Sequence, residues 1–191
     1  MFRLRTSRWY GQPKYVEIWS EKHAIVGTVA ELVKDRYVKV AFNKGNPGWG
    51  YMYDNIVRLI KELHIANGLN RRNRDREIYI WYLGDDDKYG RHMDREIENQ
   101  LKFFGLWDRV YFERIGLLPQ QVEEFGLPAN FETGEGYEVD ALNAFNPKAF
   151  EKLIDDHSDP YFDEQIHKRL LDQFPAKKID DLIHQKVKFL R

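Results

Sequence analysis

The sequence predicts an α/β protein, in which a mostly parallel sheet is flanked by helices and followed by a helical extension at the carboxyl terminus. Four short segments rich in apolar, β-branched and aromatic residues alternate with segments whose apolar residues recur at helical spacing. Strands that alternate with helices of this kind are typical of parallel sheets with right-handed crossovers. The chain has 191 residues, 42% of them hydrophobic, which is enough for one sizeable core.

The elements follow one another in a regular order. The predicted strands are residues 15–20, 37–42, 78–84 and 109–116. The third strand, IYIWYLG, is apolar on both faces, as expected of a central strand covered by helices. Helices are predicted after each strand, and the last of these, at residues 119–126, has Pro119 at its first position and Gly126 at its end.

We expect three parts in the chain. Residues 1–14 are a basic and aromatic arm, residues 15–146 form the α/β domain, and residues 147–191 form a helical extension packed on the same domain. Within the domain, residues 127–146 are a turn-rich link with little periodicity. The apolar stripes of the extension are expected to pack against the sheet, and self-association into a homodimer is the weaker alternative.

Composition limits the classes of function. Lys plus Arg (30) nearly balances Asp plus Glu (31), so a polyanionic partner must be met by a local patch. Without cysteine there are no disulfides or thiolate zinc sites, and the six histidines show no zinc-binding spacing. No run of about 18 apolar residues predicts a membrane span, and the amino terminus lacks a signal peptide, so we expect a cytoplasmic protein.

Acidic residues follow two of the predicted strands. Glu21 comes after the first strand, and Asp85 to Asp87 come after the third. The carboxyl ends of parallel strands meet at one edge of a sheet, so we expect these side chains to lie close together. Because residues i and i+2 of an extended backbone face the same way, Asp85 and Asp87 would form a pair. Clustered carboxylates predict a bound Mg²⁺, for which Mn²⁺ can substitute.

Each of these acids also has a structural alternative. One aspartate of GDDDKYG would cap the following helix, because Asp is a favoured N-cap residue. Glu21 would be an exposed residue of the first helical turn, with Ser20 as its N-cap. An acidic Mg²⁺ site at strand ends also serves phosphoacceptor chemistry, which makes a receiver-like regulator a further alternative.

The ordered segments EIWSEKHA, FNKG, IYIWYLGDDDKYG, ERIGLLPQQVEEFGLP and EVDAL resemble the Toprim domain over residues 13–155. The resemblance is strongest to the topoisomerase VI A subunit and to stand-alone phage and archaeal versions. It implies a Rossmann-like parallel sheet, with Glu21 as general acid or base in phosphodiester cleavage. It also implies that Asp85, Asp87 and Glu21 hold Mg²⁺. Asp140 is a weaker additional ligand, for which a structural cap or turn residue is the alternative.

Topoisomerase VI-type enzymes carry their nucleophilic tyrosine on a winged-helix domain before the Toprim domain, and this chain has no room for one. The resemblance therefore implies a stand-alone nuclease that cleaves DNA or RNA with Mg²⁺ and uses water as the nucleophile. The alternative is a non-catalytic module that binds metal and nucleic acid and works with a winged-helix partner protein supplying the nucleophile.

Basic and glycine-rich segments supply candidate contacts to phosphate. FNKGNPGWG, at residues 42–50, precedes a helix, where backbone amides and a lysine can meet an anion; a plain turn is the alternative. NRRNRDR, at residues 70–76, could line a nucleic-acid groove, with a solvated loop as the alternative. The candidate phosphate contacts are Lys22, Lys44, Gly45, Lys88, Arg71 and Arg72.

Overall fold

A computed structural model describes residues 9, 11–42, 49–69, 76–130 and 134–173, which include one four-stranded sheet. The strands are β1 (Lys14–Ser20), β2 (Lys39–Phe42), β3 (Glu77–Leu83) and β4 (Val110–Gly116). Their order is β2-β1-β3-β4, and every neighbouring pair is parallel. The predicted α/β class is confirmed.

Seven helices in the described residues flank and extend this sheet. They are α1 (His23–Leu32), α2 (Trp49–Leu69), α3 (Lys88–Phe103), α4 (Pro119–Phe125), α5 (Val139–Phe145), α6 (Pro147–Ser158) and α7 (Glu164–Gln173). Pro119 opens α4 and Gly126, at φ 58°, ends it, as predicted. The second strand begins at Lys39 instead of residue 37, because Tyr37 adopts a left-handed backbone conformation (φ 56°).

The link predicted at residues 127–146 contains a helix, α5, that was not predicted from its sequence. Its N-cap residue is Glu138, but the Glu138 side chain does not accept a capping hydrogen bond from the first turn of the helix. The cap comes from Asp85, whose Oδ1 accepts a hydrogen bond from the Val139 amide at 2.8 Å. Because the capping group lies 54 residues away in the chain, no local sequence signal marks the start of this helix.

The inner strands β1 and β3 carry the core, and helices cover both faces of the sheet. Residues of α6 belong to this core, since Phe150 and Ile154 are fully buried. Part of the predicted basic arm also packs here: the Trp9 ring is 2% exposed and lies edge-on to Phe162 at 5.3 Å. Gln12 exchanges two hydrogen bonds with the Asp163 backbone. Residues 9 and 11–13 are therefore part of the packed structure.

A buried charge lies in the middle of the sheet. Glu17 of β1 is 0% exposed, and Arg58 of α2 donates to its two carboxylate oxygens at 2.7 and 2.6 Å. The Tyr15 hydroxyl and the Trp19 indole N–H each donate at 2.7 Å. Tyr15, Glu17 and Trp19 are two residues apart along β1, so their side chains face the same side of the sheet. This network joins α2 to the central strand.

Candidate functional site

The carboxyl ends of β1 and β3 bring two of the predicted acids together. Ser20 of β1 and Leu83 of β3 are paired at the strand ends, so the residues that follow the two strands leave the sheet side by side. The Asp85 amide donates a hydrogen bond to Glu21 Oε1 at 2.6 Å. Glu21 is therefore half-buried against the backbone at residues 84–85. The alternative, in which Glu21 is an exposed residue of the first helical turn, does not describe this position, because α1 begins at His23.

Two glycines permit this close approach. A Cβ atom on Gly84 would lie 2.7 Å from the Tyr82 ring, 2.8 Å from Glu21 Oε1 and 3.0 Å from Arg114 Nη2. A Cβ atom on Gly90, in the first turn of α3, would lie 2.0 Å from the Asp85 carbonyl oxygen. Both positions require the absence of a side chain, because real contacts of a Cβ atom are longer than about 3 Å.

Arg114 of β4 holds the backbone beside Glu21. Its Nε and Nη2 pair with both carboxylate oxygens of Asp94 at 2.8 and 2.9 Å. Its Nη1 donates to the carbonyl oxygens of Gly84 and Asp85 at 2.7 and 3.0 Å. The guanidinium thereby connects β4, α3 and the end of β3. No sequence pattern predicted a role for Arg114, because an arginine within a strand does not indicate which helix supplies its partner.

The environment of Glu21 favours its protonated form. Burial raises the pKa of this carboxyl above its ordinary value, and the negative charge of Asp85 acts in the same direction. The hydrogen bond from the Asp85 amide and the charge of Arg114 oppose the shift without reversing it. A carboxyl group with a raised pKa can donate a proton closer to neutral pH.

The three aspartates of GDDDKYG each have a different partner in the fold. Asp85 Oδ1 accepts from the amide of Val139, whereas Asp87 Oδ1 accepts from the amide of Gly90 at 2.7 Å and caps α3. Asp86 pairs with Arg91 at 2.7 Å. β3 ends at Leu83, so these aspartates lie beyond the strand, where Asp85 caps α5 and Asp87 caps α3. The structural alternative, an aspartate that caps the next helix, describes Asp87.

Lys22 lies among three carboxylates at this edge of the sheet. Its Nζ is 3.0 Å from Glu138 Oε1, 3.8 Å from Asp85 Oδ2 and 4.0 Å from Asp140 Oδ1. Burial alone would lower the pKa of the Lys22 amine, but the hydrogen bond to Glu138 and the nearby negative charges raise it. We call Lys22, Asp85, Glu138 and Asp140 the lysine cluster. Glu138 is its unpredicted member; Asn130 donates to it at 2.6 Å.

The donor chemistry of the lysine cluster fits a hard divalent ion, although its present arrangement is built around an ammonium group. No three acidic or histidine side chains within the described part of the chain stand at metal-ligand spacing. However, oxygens of Asp85, Glu138 and Asp140 all lie within 4.0 Å of one cationic nitrogen, which stands in for a cation. Oxygen-only ligands are those that Mg²⁺ and Mn²⁺ prefer.

The other predicted contacts divide into two groups. Four of them fall outside the described residues: Lys44, Gly45, Arg71 and Arg72. Lys88 is exposed at the first position of α3. Arg76, the last residue of the basic segment NRRNRDR, is 3% exposed and pairs with Glu62 at 2.9 Å. This arginine supports the fold and does not line a nucleic-acid groove.

We expect Gly90→Ala to lower the free energy of unfolding by about 1–3 kcal/mol, the usual cost of overpacking. The added methyl group would overlap the Asp85 carbonyl oxygen, so either α3 or the 84–87 backbone must move. Gly27→Ala is the matched control: it is a helical glycine with nothing within 4 Å of its Cβ position, so alanine should be neutral or stabilising. Urea denaturation of both variants measures this difference, and equal midpoints would contradict the packing described here.

Comparisons with known proteins define what the chain is similar to. No protein-family model matches it, and no curated protein matches it. A de novo designed Rossmann fold protein is 15% identical, with a TM-score of 0.34, covering 58% of this chain and 91% of the designed chain. In the described ranges, no helix has both the length and the apolar character needed to cross a lipid bilayer.

Proposed function

We propose that this protein cleaves phosphodiester bonds of nucleic acids at the edge of the sheet where Glu21 meets the lysine cluster. The observation that carries the proposal is the hydrogen bond between Glu21 and the Asp85 amide. It holds a carboxyl group of raised pKa against Asp85, which is one of the three carboxylates that surround the Lys22 ammonium group. General acid chemistry and charge stabilisation are the two requirements of phosphodiester cleavage.

Asp85, Glu138 and Asp140 would hold Mg²⁺ in this proposal, in place of the Asp85 and Asp87 pair. When bound, the ion supplies positive charge to the phosphate oxygens and lowers the pKa of a coordinated water. Glu21 would donate its proton to the leaving oxygen as the phosphorus–oxygen bond breaks. A water oxygen would form the new bond to phosphorus and release its proton to the solvent. The Lys22 ammonium is then available to a phosphate oxygen. Asp87 keeps its structural role as the cap of α3.

The direct test is cleavage of four substrates, single- and double-stranded DNA and RNA, by the purified chain with Mg²⁺ or Mn²⁺. We expect at least one substrate to be cut in a reaction that EDTA abolishes. Survival of all four substrates, with protein free of contaminating nuclease and folded by circular dichroism, would refute the proposal.

The second candidate is a non-catalytic module that binds nucleic acid and depends on a partner for the nucleophile. The position of Lys22 favours it, because the ammonium already neutralises part of the acidic charge without any metal. This candidate predicts that the chain binds nucleic acid but leaves it intact, and that cleavage appears only when a winged-helix partner with an exposed tyrosine is added.

Lys22→Met is expected to raise the affinity for Mn²⁺ by about tenfold. In the wild type the ion competes with the Lys22 ammonium group for the same carboxylates, and at these distances two charges interact by roughly a few kcal/mol. Lys34→Met is the matched control, since Lys34 is an exposed lysine paired with Glu31 in a different part of the fold. Titration followed by the electron paramagnetic resonance of free Mn²⁺ compares the three proteins. Unchanged affinity in Lys22→Met would show that the ion does not bind where the ammonium lies.

A further inference from the structure

A cavity of about 470 Å³ adjoins the lysine cluster. It lies between the start of α1, the backbone at residues 128–130, and α5. Glu138 and Asp140 line it, and the same two carboxylates contact Lys22. The cavity and the proposed cleavage site therefore share a wall, so that a ligand in one would lie directly beside the other.

The lining combines apolar surfaces with hydrogen-bonding groups. Ile25, Pro128 and Phe145 supply the apolar surface, and the Phe145 side chain is exposed at its edge. Carboxylate acceptors and the amide groups of Asn130 and Asn143 supply the polar contacts. No described lining residue is basic, so the interior suits a neutral ring with N–H donors better than a phosphate.

A nucleobase has this chemistry, since it offers a flat apolar face for an aromatic ring and N–H groups for carboxylate and amide acceptors. The cavity volume is in the range of sites for small ligands, roughly 300–1,000 Å³. It has room for one nucleoside, whereas a base stacked within an intact duplex could not enter without leaving the stack. A phosphate attached to that nucleoside would lie outside the cavity, toward Lys22.

We infer that this cavity binds one unpaired nucleoside next to the scissile phosphate, and that the substrate is therefore single-stranded or locally unpaired nucleic acid. The position of the phosphate rests on the proposed cleavage function, but the nucleoside site itself does not. Binding can therefore be measured without metal and without catalysis.

The test uses AMP and ribose 5-phosphate as probes in metal-free calorimetric titrations of the full chain. AMP should bind, and ribose 5-phosphate should bind at least about tenfold more weakly, because it lacks the base that would stack in the cavity. Equal affinity for the two probes would overturn the inference, since the cavity would then have no preference for a base. Failure of AMP to bind at millimolar concentration would overturn it as well.

Three variants, one of them a control, locate the binding. Ala141→Leu adds volume to a cavity wall, and Ala30→Leu adds the same volume to an exposed position of α1 that does not line the cavity. AMP affinity should fall at least about tenfold in the first variant and stay unchanged in the second. Phe145→Ala, which truncates an exposed ring and leaves the core intact, should also weaken AMP binding. Wild-type AMP affinity in both Ala141→Leu and Phe145→Ala would refute this location.

The two proposals can fail separately. If AMP binds with the expected variant pattern but no nucleic acid is cut, the nucleoside site stands and the cleavage function falls. If Mg²⁺-dependent cleavage is observed but duplex and single strand are cut at equal rates and AMP does not bind, the nucleoside inference falls and the cleavage function stands.

Discussion

Replacing Glu17 with alanine is expected to lower the free energy of unfolding by about 3–5 kcal/mol, the usual result of removing one partner of a buried ion pair. The substitution leaves the Arg58 guanidinium beside the sheet without its carboxylate. It also removes the acceptor of the Tyr15 hydroxyl and the Trp19 indole, which are buried and cannot turn to water.

Glu77→Ala is the matched control for this prediction. Glu77 also lies on a central strand and accepts a hydrogen bond from a tyrosine, Tyr79, at 2.6 Å. Its side chain is 43% exposed, and its ion pair with Lys14 spans 3.9 Å, so the loss should be below about 1 kcal/mol. Urea denaturation gives both values. Similar losses in the two variants would mean that burial of the Glu17 network contributes nothing specific.

Glu21→Gln is expected to reduce the rate of cleavage by about 10²–10⁴-fold, the contribution typical of a general acid or base. The glutamine carbonyl can still accept the hydrogen bond from the Asp85 amide, so the geometry of the site should remain. Cleavage assays on the purified variant measure the loss. Undiminished cleavage would remove Glu21 from the mechanism.

The pH dependence of unfolding provides a check on the same side chain. Because the pKa of Glu21 is raised in the folded state, its protonated form stabilises the protein below the ordinary pKa of 4.5, and this contribution is lost as pH rises through the folded value. The wild-type protein should lose stability over that window relative to Glu21→Gln, which cannot ionise there. Parallel stability profiles would indicate that Glu21 has an ordinary pKa.

Much of the fold could be predicted because its signals are local. IYIWYLG gave β3 through its apolar, β-branched and aromatic residues, and Pro119 and Gly126 gave the ends of α4. The meeting of Glu21 and Asp85 followed from one general rule, that the ends of neighbouring parallel strands share an edge. The similarity to the Toprim domain stays a prediction, because it was inferred from motifs that no comparison tests.

The remaining features depend on contacts between distant segments. Glu138 reaches the site only because Asp85 caps α5 across 54 residues, and the sequence around α5 shows no cap of its own. The run NRRNRDR suggested a solvated or nucleic-acid-binding loop, yet Arg76 is buried because Glu62 lies on the facing helix. Glu17 sits among apolar residues of β1, and its charge is accommodated by Arg58, which lies 41 residues away in the chain, together with Tyr15 and Trp19.

The central claim is that a divalent ion binds among the carboxylates that surround Lys22, and a Mn²⁺ titration of Asp140→Asn tests it most directly. Asp140 is the suitable residue because the caps of α5 and α3 come from Asp85 and Asp87, so that its replacement leaves both caps in place. Asp156→Asn, at an exposed pair with Lys152, is the control. We predict one Mn²⁺ site in the wild type, weakened at least about tenfold by Asp140→Asn and unchanged in the control. Equal Mn²⁺ affinity in all three proteins, or none in the wild type, would contradict the claim.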